Sequence, residues 1–137
     1  MSNQVTLDTA EAVLGAARQK ALEIAHPMCI AVVDAGARLV AFVRMDGALL
    51  ASIDVAQRKA TTAMMLKMTT RDLAPLCQPG APLFGLEITN GGLVPFAGGI
   101  PLAAGEGEPA GAIGVSGGTV EQDQEVAEAG AAAFAAR

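Results

Sequence analysis

Apolar residues near the start of the chain recur at intervals of three and four positions, and charged residues fill the intervals. This spacing is typical of an amphipathic helix and predicts one over about 7–25. Thr6 or Asp8 can cap the start of this helix, and Pro27 blocks its continuation. The chain therefore opens with a helix that has one apolar face.

Three later segments also have helical patterns. Apolar residues at helical spacing predict a second helix over about 49–68, with polar residues in its middle. Thr70 can cap a short helix that runs through Leu76. The capping-box pattern that begins at Thr119 opens a C-terminal helix over about 120–136.

The segments between these helices have the composition of strands and turns. The apolar, β-branched run 29–33 and the run 38–44 flank a turn at 34–37, where the Asp34 carboxylate most simply accepts backbone N–H groups. Glycine-rich breaks separate three further apolar runs, which we interpret as strands at 93–97, 100–103 and 110–116. The solvated run 105–109 is predicted to form a hairpin tip.

The order of these elements is α-β-β-α-(α)-β-β-β-α, which predicts an α+β fold. We expect an antiparallel sheet of five strands, with the helices packed mainly on one of its faces. A chain of 137 residues that is 52% hydrophobic is expected to form a single domain. No stretch approaches the ~20 apolar residues of a membrane span, and the first residues do not resemble a secretory signal. We therefore expect a soluble, cytoplasmic protein.

The charge and the aromatic content of the chain exclude nucleic acid as a partner. The formal net charge is −5, the nine basic residues are scattered, and the chain has no Tyr or Trp. A nucleic-acid binder would need a basic surface, and stacking of bases would need aromatic platforms.

Cys29 and Cys77 suggest neither a disulfide framework nor a CxxC redox site, so free thiols are expected.

Four blocks of sequence resemble a known family. They are Ala31-Val32-Val33-Asp34-Ala35-Gly36 with Leu39 to Ala48, Lys59-Ala60-Thr61-Thr62-Ala63, Gly98-Gly99-Ile100-Pro101-Leu102, and Gly111 to Gly118 followed by Asp123. In this order they resemble the GlcG/HbpS-like haem-binding family, which includes the C-terminal domain of PduO-type corrinoid adenosyltransferases. The resemblance covers about residues 7–136. It implies a profilin-like fold, self-association as a homo-oligomer, and haem or a related tetrapyrrole as the ligand.

The resemblance leaves two further functions open. One is a haem-independent enzyme or binding protein for a small carboxylated or aromatic catabolite, and the other is an oligomeric accessory subunit with no site of its own. No HxxxH, paired-cysteine or clustered-carboxylate pattern supports a tetrahedral zinc site. A Ser–His–Asp triad would have to use the sole histidine without a nucleophile-elbow sequence.

His26 is the only histidine, and its imidazole is the best nitrogen ligand for haem iron that the chain offers. Its position at the end of the first predicted helix also fits a simple capping role. Arg44, Asp46 and Lys59 lie within the family blocks and are expected to converge. The two cations could bind a carboxylate or a haem propionate, or Arg44 could contact Asp46 to fix a turn while Lys59 remains solvated.

We place the candidate pocket between the turn 44–47, Lys59, the loop 84–99 and the glycine run 114–118. Lys59, Asp46 and Glu87 are the candidates for proton transfer. Backbone amides of the glycine runs could approach an anionic ligand, and Asp123 is explained by its position near a helix N-terminus. The remaining residues expected to bind the ligand are Phe84, Phe96, Gly98, Gly99, Ser116 and Gly117.

Overall fold

Four strands form one antiparallel sheet in residues 4–137, the part of the chain that a computed structural model describes. In chain order they are β1 (Cys29–Asp34), β2 (Leu39–Arg44), β3 (Gly99–Leu102) and β4 (Gly111–Ser116). Their order across the sheet is β2-β1-β4-β3, so β1 and β4 are central and β2 and β3 are the edges. The predicted hairpin of β1 and β2 and the antiparallel α+β class are confirmed.

Four helices accompany the sheet: α1 (Leu7–Glu23), α2 (Ser52–Leu66), α3 (Thr70–Leu73) and α4 (Val120–Ala136). Thr6 caps α1 by accepting a hydrogen bond from the Thr9 N–H, as predicted. Thr119 and Gln122 form the predicted capping box at the start of α4. No helix within residues 4–137 is long and apolar enough to cross a membrane. The prediction that the chain starts without a secretory signal partly concerns residues 1–3, which lie outside the described part.

The helices pack on both faces of the sheet, so the prediction of one covered face is wrong. Ile30 and Val32 pack with α1 and α4, whereas Ala31 and Val33 point to the opposite face and pack with α2. The reason is the sequence of β1 itself, in which five consecutive residues are apolar and buried. A strand that is apolar without alternation needs cover on both sides.

The helix α2 lies in backbone contact with the central strand β4. A Cβ atom built on Gly114 would lie 2.5 Å from the backbone nitrogen of Ala60 and would also collide with the carbonyl oxygen of Ala56. Such distances are too short for any side chain at position 114. Glycine therefore sets the close approach of this helix to the sheet.

The segment predicted as a strand over 93–97 is irregular, so the sheet has four strands and not five. The Val94 N–H donates to Thr62 Oγ1 at 3.0 Å, and the Leu93 N–H donates to the Glu87 carbonyl at 2.9 Å. Pro95 has no N–H to give to a sheet. The side chains of Leu93, Val94 and Ala97 are buried, whereas Phe96 is exposed, and the backbone of the segment is held by a helix side chain and a loop carbonyl.

Two local predictions about the strand connections hold. Asp34 Oδ1 accepts hydrogen bonds from the N–H groups of Gly36 and Arg38, which is the turn role expected for this carboxylate. The glycine-rich run between β3 and β4 forms their connection, as predicted. Pro101 lies in the edge strand β3, the position in a sheet where a missing N–H is tolerated.

Candidate functional site

Lys59 is the most deeply buried charged residue of the candidate set. It lies on the face of α2 that also carries the buried Ala56, Ala60 and Ala63, and its side chain has no exposed surface. Its ammonium donates to Asp123 Oδ2 at 2.8 Å and to the Val115 carbonyl at 2.9 Å. The predicted ligand-binding cation is thus an interior one that already has protein partners.

Asp123 supplies the opposite charge from α4. Its second oxygen, Oδ1, accepts the Gly118 N–H at 2.9 Å, and the residue is almost fully buried. Burial lowers the pKa of Lys59 and raises the pKa of Asp123, because each charged form loses its hydration; the attraction between the two groups opposes both shifts. The surrounding protein solvates both charges poorly. The ion pair is therefore stabilised by the short contact between Lys59 and Asp123 and by their further hydrogen bonds.

Phe96 and Gly98 close the space around the Lys59 ammonium. The Phe96 ring centroid is 5.0 Å from Lys59 Nζ, a distance suited to a cation–π contact. Gly98 has a φ of +128°, and a Cβ atom at this position would lie 2.8 Å from Nζ. An anionic ligand would therefore have to displace Asp123 or Phe96 to reach the ammonium.

The glycine-rich strand ends are occupied by groups of the protein. The Gly99 N–H donates to Thr70 Oγ1 at 2.8 Å, and Ser116 Oγ is 3.2 Å from Ser52 Oγ. The Gly118 N–H is used by Asp123, as described above. These amides hold the fold together at the positions where the sequence suggested an anion site.

His26 follows α1 and contacts the same glycine run from the other side. Its Nε2 atom is 2.9 Å from the Gly117 carbonyl oxygen. A carbonyl oxygen only accepts, so Nε2 is the donor in this contact and Nδ1 is the ring nitrogen that the contact does not use. His26 lines a cavity of about 190 Å³ whose other lining residues are Ala21, Leu22, Ala25, Pro27, Met45 and Asp46.

Arg44 and Asp46 line a second cavity, of about 340 Å³, together with Arg18, Leu22, Val43 and Met45. Leu22, Met45 and Asp46 line both cavities, so the two are adjacent. We call the combined feature the His26–Arg44 depression; it is lined by Arg18, Leu22, His26, Arg44, Met45 and Asp46. It contains an imidazole, a thioether and two guanidinium groups on a partly apolar floor.

The residues predicted to form one pocket thus lie in separate places. Lys59, Phe96 and Gly98 belong to the interior ion pair, whereas His26, Arg44 and Asp46 belong to the depression. Phe84 is 63% exposed and lines neither cavity of the depression. Glu87 has a buried Oε1 atom without a hydrogen-bond partner in the described part of the chain, and its charge adds to the burial that raises the pKa of the Cys77 thiol.

Three residues that line the depression or pair with Lys59 were not proposed as site residues from the sequence. Asp123 was given only a helix-terminal role, yet it shares the buried face of α4 with Val126 and Ala127. That apolar context is the signal that marks it as an interior charge. Arg18 and Leu22 lie four residues apart on α1, which places them on one helix face beside the end of β2.

The two cysteines and the possible metal-ligating side chains lie within residues 4–137. Both cysteines are free and buried, and no group of three or more His, Cys, Asp or Glu side chains is arranged to hold a metal ion. Burial raises the pKa of the Cys29 thiol, and the charge of Arg44 partly opposes that shift. A neutral buried thiol behaves as a small apolar side chain.

Comparison with known sequences identifies relatives over most of the chain. The sequence pattern of one family, described as haem degrading protein HbpS-like, matches residues 5–132. An uncharacterized 15.0 kDa protein from the dhaT-dhaS intergenic region of Citrobacter freundii is 44% identical over 125 residues, which are 90% of this chain and 87% of that protein. The corrinoid adenosyltransferase PduO of Citrobacter freundii is 43% identical over 123 residues, which are 89% of this chain and 36% of that enzyme.

Solved structures agree with these sequence relatives. The Klebsiella pneumoniae protein ORFY superposes with a TM-score of 0.94 at 39% identity, covering 100% of this chain and 95% of that one. A structure described as a PduOC:heme complex superposes with a TM-score of 0.89 at 37% identity, covering 95% of this chain and 94% of that one. The arrangement of four strands and four helices is shared with such structures.

Proposed function

Because this chain belongs to the HbpS-like family of haem-degrading proteins, we propose that it binds haem or a related tetrapyrrole in the His26–Arg44 depression. The observation that carries the proposal is that the two cavities are adjacent and share three lining residues. One end presents the imidazole of His26, and the other presents the guanidinium groups of Arg18 and Arg44. A haem needs this combination: a ligand for its iron, an apolar surface for its ring, and cations for its propionates.

His26 fits the role of an iron ligand by the hydrogen bond that it makes. Histidines that ligate metals commonly donate their other ring N–H to a backbone carbonyl or a carboxylate, which fixes the tautomer and the ring orientation. The His26 Nε2–H donates to the Gly117 carbonyl, so Nδ1 is the ring nitrogen that would ligate the iron. When bound, haem supplies iron-centred redox chemistry that no side chain of this protein provides.

Arg18 and Arg44 would hold the propionates, and Leu22 and Met45 would contact the ring. Leu22 lines both cavities and is 50% exposed, and a flat aromatic ligand would cover it. The two cavities, of about 340 and 190 Å³, are at or below the lower end of the ~300–1,000 Å³ of usual ligand pockets. A tetrapyrrole therefore requires both of them and leaves part of its surface for a second subunit to cover.

Titration with haemin tests this proposal. We expect a shifted Soret band in the wild type, and we expect that shift to change in both His26→Ala and His26→Gln. Gln can still donate an N–H toward the Gly117 carbonyl, so it separates ligation of iron from the structural hydrogen bond. A wild type without a Soret shift would rule out haem binding, and a Soret shift in both variants that is unchanged from the wild type would rule out His26 as the ligand.

A second candidate is binding or turnover of a small carboxylated or aromatic molecule without haem. It is favoured by Arg18 and Arg44, which line a cavity of about 340 Å³ and make no ion pair within residues 4–137. Asp46 would be the group for proton transfer in this function, because it lines the same cavity and Lys59 and Glu87 do not. Saturable binding of benzoate, together with no binding of haemin, would support this second function over haem binding.

We also propose that the protein self-associates. Four large apolar side chains are more than 60% exposed: Leu49, Leu50, Phe84 and Ile88. A partner surface that covered them would remove apolar area from water and stabilise the assembly. A small domain with few aromatic residues gains apolar burial from such contacts. Light scattering at high micromolar concentration should return at least a dimer, and a monomer under these conditions would refute self-association.

A further inference from the structure

The peptide unit between Gly117 and Gly118 is hydrogen-bonded on both of its sides. Its carbonyl oxygen, which belongs to Gly117, accepts a hydrogen bond from His26 Nε2 at 2.9 Å. Its N–H, which belongs to Gly118, donates to Asp123 Oδ1 at 2.9 Å. The atoms of one peptide unit are conjugated and coplanar. A single rigid amide therefore connects the imidazole of the depression with the carboxylate of the buried ion pair.

The connection continues from the carboxylate to a cation. Asp123 uses its other oxygen, Oδ2, for Lys59 Nζ at 2.8 Å, so the ammonium and the Gly118 N–H do not compete for one atom. An ammonium, a carboxylate, an amide and an imidazole are thus hydrogen-bonded in series. We call this series the His26–Lys59 network; it consists of the side chains of His26, Asp123 and Lys59 and the amide between Gly117 and Gly118.

The packing on both sides of this amide restricts its movement. Gly117 has a φ of +146°, and a Cβ atom built there would lie 2.9 Å from the Pro27 carbonyl oxygen and 3.2 Å from Met28 Cα. A Cβ atom built on Gly118 would collide with Gln122 Oε1, which belongs to the capping box of α4. The amide is therefore held between the backbone that follows the histidine and the start of α4.

Hydrogen bonds in series polarise one another. A carboxylate that accepts the N–H of an amide makes the carbonyl oxygen of the same amide more negative, and this oxygen then binds the imidazole N–H more strongly. Asp123 is buried, so water does not screen this effect. An imidazole that donates a stronger hydrogen bond from Nε2 has a more basic Nδ1.

We propose that Asp123 is a positioning residue for His26 and acts through the amide between Gly117 and Gly118. It holds the imidazole in one tautomer and one orientation, and it increases the electron density at Nδ1. This inference rests on the proposed ligation of haem iron by His26 and extends it to a residue that touches no ligand. A carboxylate in direct contact with the ligating histidine is a common form of such support, and in this protein an amide lies between the two.

NMR of the haem-free protein tests the inference by comparing the wild type with Lys59→Met/Asp123→Asn. This variant loses both charges together, and its side-chain carbonyl at position 123 can still accept the Gly118 N–H. The ring ¹⁵N resonances of His26, read through its carbon-bound protons at mildly alkaline pH, report the tautomer of a neutral imidazole.

In the wild type we expect a protonated Nε2 and an unprotonated Nδ1 on the His26 ring. In the double variant the two ¹⁵N resonances should move toward each other, because the weaker hydrogen bond selects one tautomer less strongly. The Gly118 amide proton should move upfield, because a neutral acceptor binds it less strongly than a carboxylate does. Haemin should bind about tenfold more weakly, the lower end of the usual loss for an outer partner of a metal-ligating histidine.

Thr62→Val is the matched control. Thr62 is buried on the same helix as Lys59, and its Oγ1 accepts the Val94 N–H, so this change removes a buried hydrogen bond outside the network. The His26 ring resonances and the haemin affinity should both be those of the wild type. Ring resonances that are unchanged in the double variant would overturn the inference even if the wild type binds haemin, as would equal changes in Thr62→Val.

Failure of the proposed haem binding would give a different result. If the ring resonances respond as expected but the wild type shows no Soret shift, Asp123 positions His26 as inferred and the haem proposal fails. If the double variant does not fold, the wild-type ring resonances decide the question. A single Nε2–H tautomer would then support the inference, and a mixture of both tautomers would overturn it.

Discussion

Two cations that the sequence places in one candidate pocket, Lys59 and Arg44, lie in contrasting surroundings. Lys59 is enclosed, and each of its contacts is made by the protein itself: a carboxylate, a carbonyl and an aromatic ring. Arg44 lines an open depression and makes no ion pair within residues 4–137. A charged side chain is available to a ligand only when other groups of the protein have not already paired with it.

The largest expected effect is on stability at the enclosed cation. Lys59→Met removes one partner of a buried ion pair and leaves Asp123 without its counter-charge, which should cost about 3–5 kcal/mol of unfolding free energy. Urea unfolding followed by circular dichroism measures this loss.

The double variant Lys59→Met/Asp123→Asn removes both charges and keeps a carbonyl acceptor for the Gly118 N–H. It should be more stable than Lys59→Met alone, because no uncompensated charge stays buried. A double variant that is less stable than the single one would show that the pairing described here does not dominate the energetics of this region.

At the open cation the larger effect should be on binding. Arg44→Met should weaken the binding of haemin, or of benzoate if that is the ligand, by about 1.5–3 kcal/mol, the usual loss for a hydrogen bond to a charged group. Its unfolding free energy should change by only about 0.5 kcal/mol. Arg38→Met, in the exposed turn between β1 and β2, is the matched control. If Arg44→Met unfolds the protein while binding per folded molecule persists, Arg44 has a structural role only.

The pH dependence of stability should carry the mark of the enclosed lysine. Because burial lowers the pKa of Lys59 in the folded state, the unfolded chain binds more protons between the folded-state pKa and the ordinary value of 10.5. Stability therefore rises with pH in this window, by about 1.4 kcal/mol for each unit between the two pKa values. The difference in unfolding free energy between wild type and Lys59→Met should increase as the pH approaches 10.5. A flat or falling difference would contradict the shift.

The smallest effect is expected at an ion pair on the surface. Lys67 contacts Glu108 at 2.6 Å, but both side chains are more than half exposed. Lys67→Met should change the unfolding free energy by about 0–1 kcal/mol, because solvent screens such pairs. A loss as large as that of Lys59→Met would remove burial as the explanation of the contrast.

Much of the fold follows from local sequence patterns. The caps at Thr6 and Thr119, the Asp34 turn and four strands lie where the spacing and turn residues predict them. The extra strand was predicted at 93–97 because the residues are apolar, but apolar side chains report burial and not the partner of the backbone. The cover on both sheet faces was readable from the unbroken apolar run of β1, which is typical of a strand between two layers.

The candidate site was less predictable, since its contacts join distant parts of the chain. Lys59 and Asp123 each interrupt an apolar helix face, which marks them as buried charges, but nothing local shows that they meet across 64 positions. His26 and Gly117 are 91 positions apart. Residue type can nominate the members of such a group, whereas only the packing of the helices on the sheet decides which members belong together.

The contact between α2 and Gly114 restricts substitutions elsewhere in the molecule. The helix rests on the sheet through backbone atoms, which cannot rotate away as side chains do, so the gap that receives Lys59 has fixed dimensions. A residue of the same charge but greater width, such as arginine, would find no space beside Gly98. At position 59 the size of the side chain restricts substitutions more strictly than its charge does. Lys59→Arg keeps the charge, yet it would disrupt the packing of α2 on the sheet.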